Sequence, residues 1–270
     1  MKNMIISLLG HFPWLKKFLK GVRNYVLPNS NVSTDYVALG NAEAGSEADR
    51  LRNAWQDEDL PLKQRDLVDQ QLRRYRSGAA IDVFDVLLQA LRELPELQPE
   101  VSLLEVGCSS GFYSEVLEIS KLPIQYSGCD YSAAFIQLAR EKYPLLDFSV
   151  ADATQLDYQN DSFDIVVSGC CLLHIPEYVK GIEETARVAR RFAIFHRTPI
   201  VWGQAEQWYR KKAYGVETVE IHFNETEFLN HLEKSGLELL TTYTLSEENQ
   251  NTAKTIGRAS RTYVCRKKDQ

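Results

Sequence analysis

Apolar and polar positions along this 270-residue chain follow two regimes that change near residue 100. Ahead of that point the spacing is helical. Trp14, Leu15, Phe18, Leu19, Val22 and Val26 fall on one stripe of a helix expected over 13–27, with Lys16, Lys17, Lys20 and Arg23 on much of the remainder. Leu51, Trp55, Leu60, Leu67, Leu72 and Tyr75 keep a helical rhythm through 47–75, and 81–94 predicts another amphipathic helix. Residues 29–46 are polar and rich in Asn, Ser, Gly and Ala, which predicts a loop able to serve as a lid.

Beyond Pro99 short apolar runs alternate with helical ones. Strands are expected over 101–106, 124–129, 146–151, 164–168, 192–196, 237–245 and 261–266, and helices over 178–190, 203–213 and 225–235. This alternation predicts a doubly wound α/β fold on a mostly parallel sheet. The polar stretch 246–257 between the last two strands has no helical stripe, which predicts an antiparallel final pair. Three regions result: a basic amphipathic leader over 1–28, a helical cover over 29–98 and an α/β domain over 99–270.

Composition narrows the function. A net charge of −6 and a pI near 5.5 argue against a broad nucleic-acid surface. No apolar run is long enough to span a bilayer, and the short apolar start lacks the length and cleavage site of a signal peptide. The leader has no acidic residue before Asp35, so it suits peripheral contact with an anionic membrane or docking on its own domain. Cysteines 108, 129, 170, 171 and 265 show no C-x-x-C spacing and read as reduced, buried thiols. A cytoplasmic protein follows, in places peripheral at the inner membrane face.

The candidate chemistry begins where the first strand of the second regime runs into Gly107-Cys108-Ser109-Ser110-Gly111-Phe112. Glycines at such a turn permit left-handed backbone and close approach of a ligand, and the following helix aims N–H groups at polar or anionic atoms. Asp130 ends the second strand and is placed for ribose hydroxyls, and Asp152 ends the third. Each acid alone is more often a helix cap and each glycine an ordinary turn. Their order along the chain points to a nucleoside-containing cofactor, and Gly-x-Ser-x-Gly-Phe departs from the G-x-G-x-x-G/A dinucleotide fingerprint.

Glu105, Gly107 and Gly111 resemble the first motif of class I S-adenosylmethionine-dependent methyltransferases, with Ser109 in place of the middle glycine. The resemblance runs on to the C-terminus: Asp152-Ala153 is similar to the adenine-edge motif, and Asp161-Ser-Phe-Asp164 with His174 is similar to the fourth-strand motif. It implies a seven-stranded Rossmann-like sheet with an antiparallel last strand and S-adenosylmethionine as cofactor. Glu105, Gly107, Cys108, Gly111, Phe112, Asp130, Tyr131, Asp152, Ala153 and Ser168 are then its candidate contacts.

For the acceptor, the resemblance places His174 and His196 at the rim carrying the reaction, as candidate bases with a structural hydrogen bond as the alternative role. Tyr75, Arg197, Tyr209, Tyr214 and His222 are substrate-pocket candidates, with Trp55, Arg73, Arg74 and Arg76 of the cover beside them. The histidines match no recognised ligand spacing, so no metal is expected. Strand four ends Ser168-Gly169-Cys170-Cys171, unlike the Asn/Asp-Pro-Pro-Tyr/Phe of base amino methylation. The expected acceptor is therefore a hydroxyl of a sugar, glycan or lipid-linked saccharide. A soluble natural product and a non-catalytic cofactor-binding scaffold are the alternatives.

Overall fold

In the computed structural model, residues 33–95, 100–250, 253 and 255–268 are described. The leader helix expected over 13–27 lies outside them. The cover region holds β1 (Ser33–Leu39), α1 (Asn41–Asn53), a 3₁₀ turn over Ala54–Gln56, α2 (Leu60–Arg76) and α3 (Asp82–Arg92). The polar loop expected over 29–46 is thus partly strand and partly helix. Its backbone groups find partners that a local reading cannot supply, because β1 pairs antiparallel with a strand some 175 residues onward, Ser33 opposite Ala213 and Leu39 opposite Trp208.

The α/β domain follows as β2 (Val101–Val106), α4 (Tyr113–Ile119), β3 (Ile124–Asp130), α5 (Ala133–Lys142), β4 (Asp147–Val150), β5 (Phe163–Gly169), a 3₁₀ turn over Leu172–His174, α6 (Tyr178–Val188), β6 (Ala189–Trp202), β7 (Gln207–Ala213), β8 (Val216–Asn224), α7 (Glu225–Lys234), β9 (Leu237–Asn249) and β10 (Gly257–Lys267). Seven strands lie in the order β4-β3-β2-β5-β6-β10-β9. β2 to β6 pair parallel along this path, and β10 is antiparallel to both its neighbours, so the expected antiparallel final pair is present. Apolar cores lie on both faces. Leu104, Val166 and Ala193 pack with Ile182 of α6 and Phe228 of α7, while Leu103, Val167 and Ile194 pack with Leu88 of α3 and Val116 of α4. That alternation along one strand makes the near-continuous apolar runs of the sequence.

The helix expected over 203–213 is instead strand β7. It turns back at Tyr214 and Gly215, whose φ values of 50° and 93° make the two-residue left-handed turn that suits a hairpin, and pairs with β8 from Ala213↔Val216 to Gln207↔His222. β1, β7 and β8 form a small antiparallel layer joined to β6 at Ile200↔Phe223 and Val201↔Asn224. The stretch into α7 offers Asn224 or Thr226 as its cap, and it is the Asn224 side chain that accepts the Glu227 N–H, at 3.1 Å.

Registers bring the C-terminal ends of four parallel strands level: Val106 sits opposite Cys129 and Ser168, and Gly169 opposite His196. Gly107, Asp130, Cys170 and Arg197 therefore stand in a row along the rim where α/β sheets bind ligands.

Candidate active site

The turn after β2 is left-handed at Gly107 (φ 75°), Ser109 (φ 48°) and Gly111 (φ 70°). A Cβ at Gly107 would stand 2.3 Å from Cys171 Cβ, and one at Gly111 2.6 Å from the Phe148 ring, so both glycines are sterically required. Ser109 adopts the left-handed conformation despite its side chain. The Ser109 N–H donates to Asp130 Oδ2 at 2.8 Å and the Ser132 N–H to Asp130 Oδ1 at 2.9 Å. Asp130 thus clamps the turn to the end of β3. Burial raises its pKa and these N–H groups oppose the rise. The Ser110 hydroxyl is buried in the turn without a hydrogen-bond partner.

Glu105 lies beneath, 2% exposed, where it accepts the Tyr126 hydroxyl. Burial pushes its carboxyl up to about 8, with the charge of Asp130 adding to the rise and the Tyr126 bond opposing it. Between the unfolded value near 4.5 and about 8 the folded chain holds a proton that the unfolded chain releases, so stability falls as pH rises through this window. Glu105→Gln is expected to flatten that fall, measured as urea midpoints at pH 5 and pH 8. An unchanged slope would contradict it.

At the adenine edge Asp152 Oδ1 accepts the Thr154 N–H (2.8 Å) and hydroxyl (2.7 Å), while Oδ2 takes Arg52 Nη2 at 2.5 Å. Burial would raise the Asp152 pKa, but Thr154 and Arg52 outweigh it and hold the carboxyl low. The Arg52 guanidinium lies 4.9 Å over the Tyr131 ring, and the Tyr131 hydroxyl donates to Asn53 Oδ1 at 2.9 Å. The end of α1 therefore closes on two residues of the expected cofactor set, and a planar base entering against Tyr131 must displace Arg52. Cys108 and Ala153 are buried, and Cys171 Sγ links Ser168 Oγ (3.2 Å) to the Val106 carbonyl (3.3 Å). Phe112 packs on Tyr113 and Phe84 at 4.6 and 6.2 Å between centroids.

The two candidate bases differ in what their nitrogens do. His174 Nδ1 lies 2.6 Å from the Val219 carbonyl, which can only accept, so Nδ1 carries the proton in the neutral ring and Nε2 keeps its lone pair. Its ring packs against Trp55 at 4.6 Å between centroids, tilted by 48°. Burial, with the Lys211 and Arg197 charges adding to it, pushes His174 down to about 3 and keeps it neutral. His196, 1% exposed, spends Nε2 on the Tyr113 hydroxyl (3.0 Å) and Nδ1 on Thr262 Oγ1 (2.9 Å). It therefore has no nitrogen left for an acceptor, and its expected catalytic role gives way to a structural one.

The pocket residues also divide. Arg197, at φ 60°, lines a narrow cleft with Cys170, Cys171, His196 and Phe223, and Tyr214 faces the Arg197 charge. His222 stacks on Tyr209 at 5.0 Å and meets Glu220 Oε1 at 2.8 Å. Glu220 also pairs with Lys211 and the Tyr36 hydroxyl, and Lys211 reaches Ser33 Oγ at 2.8 Å. Despite its burial, His222 and Lys211 hold Glu220 down to about 2. Tyr75 does not face this rim: its ring packs edge-on against Phe84 at 5.4 Å and its hydroxyl points to Ser120, so it is core packing. Arg73 and Arg74 are exposed, and exposed Arg76 pairs with Glu115 at 2.6 Å.

Residues 104–195, which carry the turn, Asp130, Asp152 and His174, match the family model described as a methyltransferase domain. This segment is a methyltransferase domain. The chain is 33% identical over 93 residues to a phthiotriol/phenolphthiotriol dimycocerosates methyltransferase of Mycobacterium leprae, a match spanning about a third of this chain and of that relative (33% each). A ubiquinone/menaquinone biosynthesis C-methyltransferase of Campylobacter jejuni is 22% identical over 172 residues, 53% of this chain and 73% of its own length. The fold is that of solved methyltransferases. A putative sarcosine dimethylglycine methyltransferase from Galdieria sulphuraria superposes with a TM-score of 0.54 at 12% identity, over 69% of this chain and 85% of that one. An S-adenosylmethionine-dependent methyltransferase from Methanosarcina mazei superposes at 0.50 and 20% identity, over 64% and 95%.

The methyltransferase domain implies S-adenosylmethionine as cofactor, and the residues present fit it. Two left-handed glycines open the end of β2, the Ser110 hydroxyl is buried without a partner, Asp130 ends β3 and Asp152 lies two residues past β4. Arg52, Asn53, Tyr113, Lys211 and Glu220 were not among the candidates. The alternating Val216-Glu-Thr-Val-Glu-Ile-His-Phe after Tyr-Gly is a hairpin signal that could have found the last two. Nothing in the local sequence marks Arg52.

Proposed function

We propose that this chain methylates a hydroxyl of a sugar, glycan or lipid-linked saccharide, with His174 as the base. The observation that carries the reading is the His174 tautomer: the Val219 carbonyl fixes the proton on Nδ1, so Nε2 presents a lone pair at the rim after β5. Bound S-adenosylmethionine supplies an electrophilic methyl group on a sulfonium, open to in-line displacement. His174 Nε2 takes the acceptor proton as the oxygen attacks, and Trp55 packs against the imidazole from one side. Orientation does much of the work, because burial leaves this histidine a weak base. Aromatic and hydroxyl-bearing neighbours, Trp55, Tyr209 and Tyr214, suit a polyhydroxylated acceptor. The basic stripe at 13–27 suits a reaction at the cytosolic face of an anionic membrane.

The test is incubation with methyl-labelled S-adenosylmethionine and two extracts of the source cells, one organic and one aqueous. Label in a saccharide-bearing lipid fraction, stable to mild alkali as an ether is, supports the reading. Label confined to small water-soluble products points to a natural-product acceptor. Loss of the labelled methyl only to water or buffer, with no acceptor, sinks the hydroxyl reading.

A further inference from the structure

Arg197 is a half-buried guanidinium at the tip of the parallel part of β6, beside Cys170 at the tip of β5. Both residues are left-handed, at φ 60° each, without being glycine. Strained backbone at paired strand ends persists where a side chain must be aimed, and it clusters at ligand sites. Arg197 is aimed at the cleft: it lines that space with Cys170, Cys171, His196 and Phe223, and its charge reaches His174.

Among the described residues its surroundings lack a counter-charge. The groups facing the guanidinium are the Cys170 thiol and the Tyr113 and Tyr214 hydroxyls. Burial pushes both phenols up, Tyr214 to about 12, so both are neutral donors at physiological pH. Among the described residues no carboxylate pairs with Arg197. Glu220 is occupied by Lys211, His222 and Tyr36, and Glu105 is protonated near neutral pH. The stretch before Asp35 contains no acidic residue that could supply one. Beside Tyr214, Gln64 Oε1 is buried without a hydrogen-bond partner, as is Trp55 Nε1 against His174. A half-buried cation facing only neutral groups is partly desolvated with no anion to offset it, and fold and chemistry agree if a ligand brings one.

We propose that Arg197, assisted by the Tyr214 hydroxyl, is a receptor for an oxyanion at the methyl-transfer rim, the carboxylate or phosphate of the acceptor or the carboxylate of the cofactor. For the acceptor this deepens the reading above and rests on it: the hydroxyl presented to His174 belongs to an acidic sugar or a phosphorylated saccharide. A guanidinium beside a phenol donor reads a planar or tetrahedral oxyanion through several charge-assisted hydrogen bonds, and a neutral sugar satisfies none of them as well.

Wild type, Arg197→Gln, Arg197→Lys and Tyr214→Phe are compared. Calorimetric titration with S-adenosylhomocysteine and with methylthioadenosine, which lacks the aminocarboxylate, reads the cofactor arm. Thermal melts with inorganic phosphate and glucuronate, against glucose at matched ionic strength, read the acceptor arm, with and without S-adenosylhomocysteine. A tenfold or greater loss of S-adenosylhomocysteine affinity in Arg197→Gln, with methylthioadenosine unchanged, assigns the site to the cofactor carboxylate. Oxyanion-specific melting shifts of a few degrees in wild type, absent in Arg197→Gln and reduced in Arg197→Lys and Tyr214→Phe, assign it to the acceptor. If neither affinity ratio nor oxyanion shift differs between wild type and a folded Arg197→Lys or Arg197→Gln, the receptor is disproved. Failure of every protein to bind S-adenosylhomocysteine would instead strike the methyltransferase reading, and the melts without it still decide Arg197.

Discussion

His174→Gln is expected to lower turnover by about 10²–10⁴-fold while changing cofactor affinity by less than roughly threefold, the split of a group that acts on the proton in flight and not on binding. Glutamine can still meet the Val219 carbonyl, so the loop stays in place and the variant isolates the missing lone pair. The pH profile carries a second signature. Burial first, then the charges of Lys211 and Arg197, push His174 down to about 3, so its free base is fully present from pH 5 to 8. Turnover of the wild type should accordingly show no acidic limb near 6.5 assignable to this residue. Single-turnover rates across that range check both points. A His174→Gln enzyme with wild-type rates would remove the base from the account, and His196 could not replace it, since Tyr113 and Thr262 occupy its ring.

The second large effect is at the glycine turn. Gly107→Val is expected to cost about 3 kcal/mol or more, combining the roughly 1–2 kcal/mol of a left-handed β-carbon with the overpacking of a filled site. Its Cβ would meet Cys171 Cβ at 2.3 Å and Cys171 Sγ at 2.9 Å, and the turn would have to leave the position from which its N–H groups bond the Cys129 carbonyl. Cofactor affinity should fall at least about a hundredfold even where the variant remains folded, since the ligand and the turn share this backbone. Gly215→Ala is the matched control. Gly215 is also left-handed (φ 93°), but nothing lies within 4 Å of its added Cβ, so it bears only the backbone term and should bind cofactor as the wild type does. Chemical denaturation of the two variants separates strain from collision.

Much of this was legible in the chain because the signals were local. The apolar runs ending at Val106, Asp130 and Gly169 mark parallel strands buried on both faces, and the small residues at 107–111 can only be a turn. Asn224, one of the two cap residues its stretch offers, caps α7. What was missed depends on partners far away. β1 reads as a polar loop because its hydrogen bonds go to β7, and β7 reads as a helix because Gln207-Trp-Tyr-Arg-Lys-Lys alternates poorly until the hairpin pairs it with β8. His174 and His196 look alike in sequence, and only their hydrogen bonds separate a ring with a free nitrogen from one without. Tyr75 sits on the expected helix, yet its turn of that helix faces Phe84. The clasp of Arg52 on Asp152 spans 100 residues and leaves no local trace.

The most direct measurement is a calorimetric titration of the 270-residue chain with S-adenosylhomocysteine beside Gly107→Val. One-site binding in the micromolar range by the wild type, lost in the variant, is the predicted result. A folded wild-type protein that takes up no S-adenosylhomocysteine would contradict the account at its centre, because the turn, Asp130 and Asp152 would then form a rim without its cofactor.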